Sequence, residues 1–152
     1  MQTTLIIIKP DAVQRGLVGN IISRFERKGL QIAGGRFICI DPALAARHYR
    51  VHEGKPFYEG LIRFMTTGPV FVLAIRGPEA VGVCRKLIGT TSGLDAEPGT
   101  IRGDLGLSLR MNLIHGSDSP ESATEELQLF FDPEQLVESS QAIEPWLFDA
   151  PG

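Results

Sequence analysis

The apolar residues of this chain switch repeatedly between strand spacing and helix spacing, and that alternation limits the folds open to it more than any other feature. Thr4 to Ile8 is short, β-branched and uninterrupted, a buried strand closed by Lys9-Pro10. From Asp11 the spacing turns helical, with Leu17, Ile21, Ile22 and Phe25 on one face and Lys28-Gly29 as a cationic last turn and stop. Leu30 to Ile40 predicts a long strand bent by Gly34-Gly35, and Asp41-Pro42 an N-cap opening a helix through His48 and Tyr49. Pro56 and Gly68-Pro69 bracket a short helical piece, Phe57 to Met65, whose Phe57, Leu61 and Phe64 share one face. Val70 to Ile75 returns to strand, and Glu79 to Ile88 to helix, ending at Gly89. Thr90 to Thr100 has no period and reads as a long loop. Asn112 to His115 is a brief strand, and Ser119-Pro120-Glu121 opens a last helix with Ala123, Leu127 and Phe130 as its stripe. That order calls for a small sheet covered by helices: α/β in the broad sense, more narrowly α+β with a mixed sheet.

Composition sets the outer bounds. With 152 residues, 43% apolar, 22% charged and a mean hydropathy of +0.04, the chain can build one packed core, which excludes general disorder. A single domain over residues 1–152 is expected, with a C-terminal extension from about 141 that carries Trp146-Leu147-Phe148. Eighteen acidic against 15 basic residues give a net charge of −3, and no run of Lys or Arg offers a basic patch to nucleic acid or a membrane surface. The apolar runs at Leu5 to Ile8 and Pro69 to Ile75 are too short for a signal segment or a bilayer span. Cys39 and Cys84 stand far apart among apolar neighbours, as reduced core residues of a cytoplasmic protein do.

Several nucleotide and hydrolase signatures are absent. There is no GxxxxGK[ST], no pair of glycines one residue apart, no HExxH and no GxSxG. Phosphates, if bound, must be held by side chains. Two segments are polar and glycine-rich against their surroundings: Pro98 to Asp104 and Asn112 to Ser119. Of three histidines only His115 lies in such a setting; His48 and His52 fall in or just after a polar helix, where a solvated imidazole is expected. An imidazole beside Gly116 and Ser117, just before a helix start, suits a nucleophile, since glycine permits close approach and the helix N-terminus favours an anion. Glu126 flanks the buried stripe of that helix, where its carboxylate can bond one ring nitrogen and fix the tautomer. The residues alone leave equal room for a histidine that caps a turn and a solvated glutamate. By the same standard Lys9 is a surface lysine, Arg85 a solvated cation, and Phe57 with Leu61 part of a core stripe.

Asn112-Leu113-Ile114-His115-Gly116-Ser117-Asp118-Ser119 resembles the active-site signature of nucleoside diphosphate kinases. The likeness extends to Ile8-Lys9-Pro10-Asp11 through Gly19, to Gly68-Pro69-Val70 and to Pro98-Gly99-Thr100-Ile101-Arg102-Gly103-Asp104, in the family's order and spacing, over nearly the whole chain. It implies a ferredoxin-like βαββαβ fold, a four-stranded antiparallel sheet covered by helices. It also implies a ping-pong reaction in which a nucleoside triphosphate, typically ATP, gives its γ-phosphoryl to a histidine, and a nucleoside diphosphate takes it.

Carried over by position, the resemblance makes His115 the nucleophile and Glu126 the carboxylate that orients it, with Ser117 holding the glutamate. Lys9 and Arg102 fall near the transferring phosphoryl, and Arg85 and Thr91 at the preceding phosphate. Asn112 matches the amide on the sugar hydroxyls and Tyr49 the phenol beside the histidine. Phe57 matches the aromatic that stacks on the base, with Leu61 one turn on, and Leu109 is a further nucleotide-binding position. Mg²⁺ is the implied cofactor, arriving on the nucleotide, because no carboxylate cluster offers a protein cage. The implied assembly is a homo-oligomer, a hexamer favoured over a tetramer by the longer tail.

Three expectations remain open to test. Strict alternation puts Asn112 and His115 on opposite strand faces, so the strand is expected to end or bend by His115, and a regular strand through Gly116 counts against a shared site. Ser92-Gly93 replaces the family's usual Asn-Pro, which predicts a more mobile loop. A catalytically retired, nucleotide-binding scaffold is the alternative function. The presence of His115, Lys9, Arg85, Arg102 and Asn112 speaks against it, and the missing basic stripe disfavours a nucleic-acid regulator.

Overall fold

A computed structural model describes residues 1–149; the final three residues of the expected domain lie outside it. Strand β1 (Gln2–Ile8) is followed by α1 (Pro10–Gln14), α2 (Val18–Lys28), β2 (Gln31–Ile38), α3 (Pro42–His48) and α4 (Tyr58–Met65). Then come β3 (Val70–Gly77), α5 (Ala80–Ile88), α6 (Ile101–Leu105), β4 (Ile114–Gly116) and α7 (Pro120–Phe130). The sheet order is β2-β3-β1-β4 and every pair is antiparallel. This is the four-stranded antiparallel α+β arrangement, and the mixed sheet suggested by periodicity is corrected, because apolar spacing carries no strand direction.

The unbroken apolar run of β1 follows from its central place, with both faces covered. Leu5 and Ile7 pack with Ala45 of α3, Met65 of α4, and Leu127 and Phe130 of α7, whereas Ile6 and Ile8 pack with Ile21 and Phe25 of α2 and Cys84 and Ile88 of α5. A fully buried Ile or Leu side chain contributes about 1.5–3 kcal/mol, so this one strand anchors two helical layers. Burial of the expected α7 stripe, Ala123, Leu127 and Phe130, is complete. None of the helices in the described residues is long and apolar enough to cross a membrane.

Local chemistry explains where elements stop. The helix expected from Asp11 is two helices, because Gly16 adopts a left-handed φ of +69° between them. Asp41 caps α3 by accepting the Leu44 N–H at 2.7 Å, and Ser119 caps α7 through the Ser122 N–H. Pairing along β2 shifts between Ile32 and Gly34, leaving Ala33 as a bulge whose carbonyl accepts the Val137 N–H. Cys84 is buried as expected, but Cys39 is exposed, one residue past the end of β2. In the tail, Leu147 packs on Gly29 and Ser139 accepts a hydrogen bond from Gln31, while Trp146 is 88% exposed on the single chain.

Candidate active site

Register aims the central histidine. In the antiparallel pairing of β1 with β4, His115 lies opposite Ile7, so its side chain projects from the face that carries α3 and α7. There its Nε2 meets Glu126 of α7 at 2.9 and 3.0 Å, and Ser117 donates its hydroxyl to the same carboxylate at 3.0 Å. With Nε2–H donating to Glu126, the tautomer leaves the Nδ1 lone pair free. Gly116, on the opposite face, lets α5 approach: a Cβ there would stand 2.7 Å from Ile88 Cδ1.

The strand does continue through Gly116, so the expected break at His115 is wrong. The break lies earlier. Leu113 has φ +74° and is spanned by an Ile114 N–H to Asn112 carbonyl bond of 2.8 Å, a γ-turn rarely adopted by a non-glycine residue. Three partners clamp it: Asp11 accepts the Leu113 N–H, the Lys9 backbone N–H bonds the Leu113 carbonyl, and Arg102 donates to the carbonyls of Asn112 and Ile114. The turn resets the alternation and brings Asn112 to the His115 end of β1. Such strain persists where the surroundings over-determine it, typically at functional sites.

Around that turn sit the cations. Lys9, only 8% exposed, donates from Nζ to Asn112 Oδ1 at 2.8 Å, and Asn112 Nδ2 donates to the Thr91 carbonyl. Burial, then the neighbouring Arg102 charge, push the Lys9 ammonium down to about 8 despite Asp11. Arg102 is likewise lowered to about 10 by burial and by Arg85. Three of its N–H groups bind the carbonyls of Gly89, Asn112 and Ile114, which leaves two of a guanidinium's five for a ligand. Arg85 reaches the Gly116 carbonyl from α5. Lysine and two arginines facing one another with one nearby carboxylate form a site that favours an anion.

An aromatic row leads away from the imidazole. His48 meets His115 edge-on at 4.8 Å and Tyr49 at 4.4 Å; His52 lies 6.4 Å from Tyr49 and 5.3 Å from Phe57. Tyr49 is buried with no partner for its hydroxyl, and burial followed by the Glu126 charge raises its phenol well above the ordinary range. Phe57 is 46% exposed and Leu109 60%, both open to a ligand, whereas Leu61 packs against the core cluster of α3, α4 and α7.

Comparison with known proteins agrees with this geometry. The family model described as Nucleoside diphosphate kinase matches residues 2–136. The chain belongs to the nucleoside diphosphate kinase family. A Staphylococcus epidermidis nucleoside diphosphate kinase is 52% identical over 98% of this chain and all of its own, and one from Thermomicrobium roseum is 52% identical over 97% and 99%. The solved structure of a Halobacterium salinarum nucleoside diphosphate kinase in complex with CDP superposes with a TM-score of 0.95 at 47% identity, covering 97% of this chain and 99% of that one.

Against the nucleoside diphosphate kinase pattern, the Ser92-Gly93 departure has a packing reason. Gly93 is buried, donates its N–H to Ser108, and lies so close to the Gly106 backbone that a Cβ would collide with it. Proline could neither donate that bond nor fit, so glycine here serves close approach. Two site residues escaped the sequence reading. Asp11 clamps the Leu113 turn, and its only signal was its place two residues after Lys9 in the matched block. His48 was expected to be solvated, yet both its ring nitrogens are sealed from solvent with no partner. Its helix is polar, but the face that bears His48 packs on Tyr49, Phe130 and His115.

Proposed function

We propose that the protein transfers the γ-phosphoryl of a nucleoside triphosphate, typically ATP, to a nucleoside diphosphate through a phosphohistidine on His115. The observation that carries this reading is the Ser117–Glu126–His115 chain, which fixes one ring nitrogen while Lys9, Arg102 and Arg85 converge on the Asn112 to Gly116 segment that carries the histidine. Nδ1 attacks the γ-phosphorus, a nitrogen–phosphorus bond forms, and the bond to the bridging oxygen breaks with its electron pair leaving on the diphosphate. The ring gains positive charge in that step, which Glu126 stabilises through the Nε2–H. An acceptor diphosphate then reverses the sequence. Splitting the transfer lets donor and acceptor use one site in turn.

In this reading the cations hold equatorial and bridging phosphate oxygens, the main demand of phosphoryl transfer. Asn112 reads the sugar, with Thr91 and Leu109 along the nucleotide, Tyr49 beside the phosphoryl, and Phe57 against the base. Stacking reads a π-face, which supports broad base tolerance. Mg²⁺ enters as part of the nucleotide substrate. Among the described residues the one metal-capable group is His48, His115 and Glu126, a nitrogen-rich set ill-suited to a hard oxygen-seeking ion. One domain over residues 1–152, a cytoplasmic setting and a homo-oligomer, hexamer before tetramer, complete the proposal. Exposed Phe37, Leu94, Leu107 and Trp146 on the isolated chain support assembly, which sedimentation equilibrium measures. A retired scaffold finds no support in the comparisons.

Incubation with γ-labelled ATP and Mg²⁺ should place acid-labile, base-stable label on the His115 peptide, and added GDP should discharge it. Label on another peptide, or label that GDP cannot remove, refutes the mechanism. A pH profile tests the clamp. A lysine lowered to about 8 is charged below that pH and neutral above it, so kcat/KM should fall through pH 8 and be about tenfold lower at pH 9 than at pH 7. Lys9→Arg keeps its charge and should flatten that limb; an unchanged limb in this variant assigns the titration elsewhere.

A further inference from the structure

His48 takes no part in the reaction proposed above, and its setting is costly. Both of its buried ring nitrogens lack a hydrogen-bond partner, which leaves their desolvation uncompensated. One donor atom from each of His48, His115 and Glu126 lies within 4.8 Å of the others, and this is the one such group among the described residues. We infer that these three side chains bind a borderline transition-metal ion of the Zn²⁺ class in the nucleotide-free protein, the metal replacing the proton between His115 Nε2 and Glu126, and that the bound ion makes Nδ1 a poorer nucleophile by drawing on the ring's electrons and occupying Glu126.

The donor set supports the choice of ion. Two imidazoles and one carboxylate, with a fourth position open, are ligands suited to zinc, and imidazole discriminates against Mg²⁺. Tetrahedral zinc with bonds of about 2.0–2.1 Å places its donors about 3.4 Å apart, so the present spread of up to 4.8 Å must close by about 1.4 Å at its widest. His115 Nε2 and Glu126 already stand 2.9 and 3.0 Å apart, so the closure falls on His48.

The sealed ring of His48 lies at the wall of a cleft, so entry of an ion needs the ring to turn. That cleft of about 280 Å³ between α3 and α7 is lined by His48 and Glu126, with Arg47, Arg50 and Glu125 at its sides. The two arginines and two glutamates offset one another, so the cleft does not repel a cation strongly. Its wall holds His48 and Glu126 but neither Lys9 nor Arg102, so an ion approaching from this side avoids the clamp that would repel it.

Metal binding does not depend on the kinase reading; only the inhibitory consequence rests on it. The nucleotide-free full chain titrated with ZnCl₂ in a calorimeter should bind one ion per chain and give no matching heat with MgCl₂. Co²⁺ should give the intense visible absorption of a tetrahedral site. His48→Gln should weaken zinc binding beyond the roughly 10–100-fold that loss of an outer-sphere partner costs. Undiminished affinity in a folded H48Q variant, a pale octahedral Co²⁺ spectrum, or no stoichiometric binding overturns the site. Should that variant fail to fold, imidazole NMR of the wild type decides. One equivalent of Zn²⁺ should shift His48 and His115 together and leave His52 in place; any other pattern refutes the assignment. One equivalent of Zn²⁺ bound before ATP is added should slow the labelling of His115, and an unchanged labelling rate removes the inhibitory consequence. A protein that binds zinc through His48 but never carries the phosphoryl label keeps the metal site and loses the kinase mechanism, while a labelled protein that binds zinc without His48 does the reverse.

Discussion

His115→Ala is expected to lower nucleotide-to-nucleotide phosphoryl transfer by at least about 10⁴-fold, because it removes the only atom in this reading that forms a bond to phosphorus. A loss of that size corresponds to about 5 kcal/mol of transition-state stabilisation. The fold should survive the change. His115 sits in edge strand β4, whose pairing with β1 uses backbone groups, and its side chain is partly exposed. The variant should therefore retain its denaturation midpoint and still bind nucleotide through Lys9, Arg85, Arg102 and Asn112. Coupled-assay kcat together with a nucleotide binding isotherm checks both halves. Transfer within tenfold of wild type would remove His115 from the mechanism, whereas loss of folding would make its packing with His48 the dominant role.

Gly103→Ala should destabilise the protein by about 2 kcal/mol, although helix propensity alone predicts a gain of about 1 kcal/mol for replacing a glycine inside α6. The sign reverses because a Cβ at this position would collide with the Glu97 carbonyl and stand 2.7 Å from Thr100 Oγ1. Backbone cannot yield as a side-chain tip can, and overpacking of this kind costs about 1–3 kcal/mol and occasionally more. The Gly103 N–H is also the donor to the Thr100 cap, so displacement of the residue frays the start of α6. Arg102 is its neighbour, and two of its three carbonyl bonds hold the Leu113 turn while the third reaches Gly89. KM for nucleotide should rise along with the loss in chemical-denaturation midpoint. A stabilised variant with unchanged KM would show that α6 tolerates the shift.

Much of the molecule was legible in the chain. Apolar spacing located β1, β3, α5 and α7 within a few residues, and Asp41 and Ser119 announced their helices through caps that the structure contains. These signals are local: a cap needs only its own first turn, and a stripe needs only one buried face. The matched motifs named the residues that gather at the clamp. Helix α6 was missed because Gly99 and Gly103 interrupt any period.

The sites of error share a cause. Cys39 has apolar neighbours in sequence but an open position past β2, and His48 has polar neighbours but a sealed one. Burial belongs to the face an element turns inward, and sequence context averages over all faces.

By itself, then, the sequence determined most of the elements, two of their caps and the family, since each is written in local pattern or in matched order. Only the tertiary structure decided the strand register, the left-handed turn at Leu113 that reunites Asn112 with His115, the glycine contacts at Gly93 and Gly103, and the unpartnered imidazole of His48. All four arise from segments far apart in the chain meeting at contact distance, where a single Cβ or one hydrogen bond changes the outcome and no one-dimensional period records it.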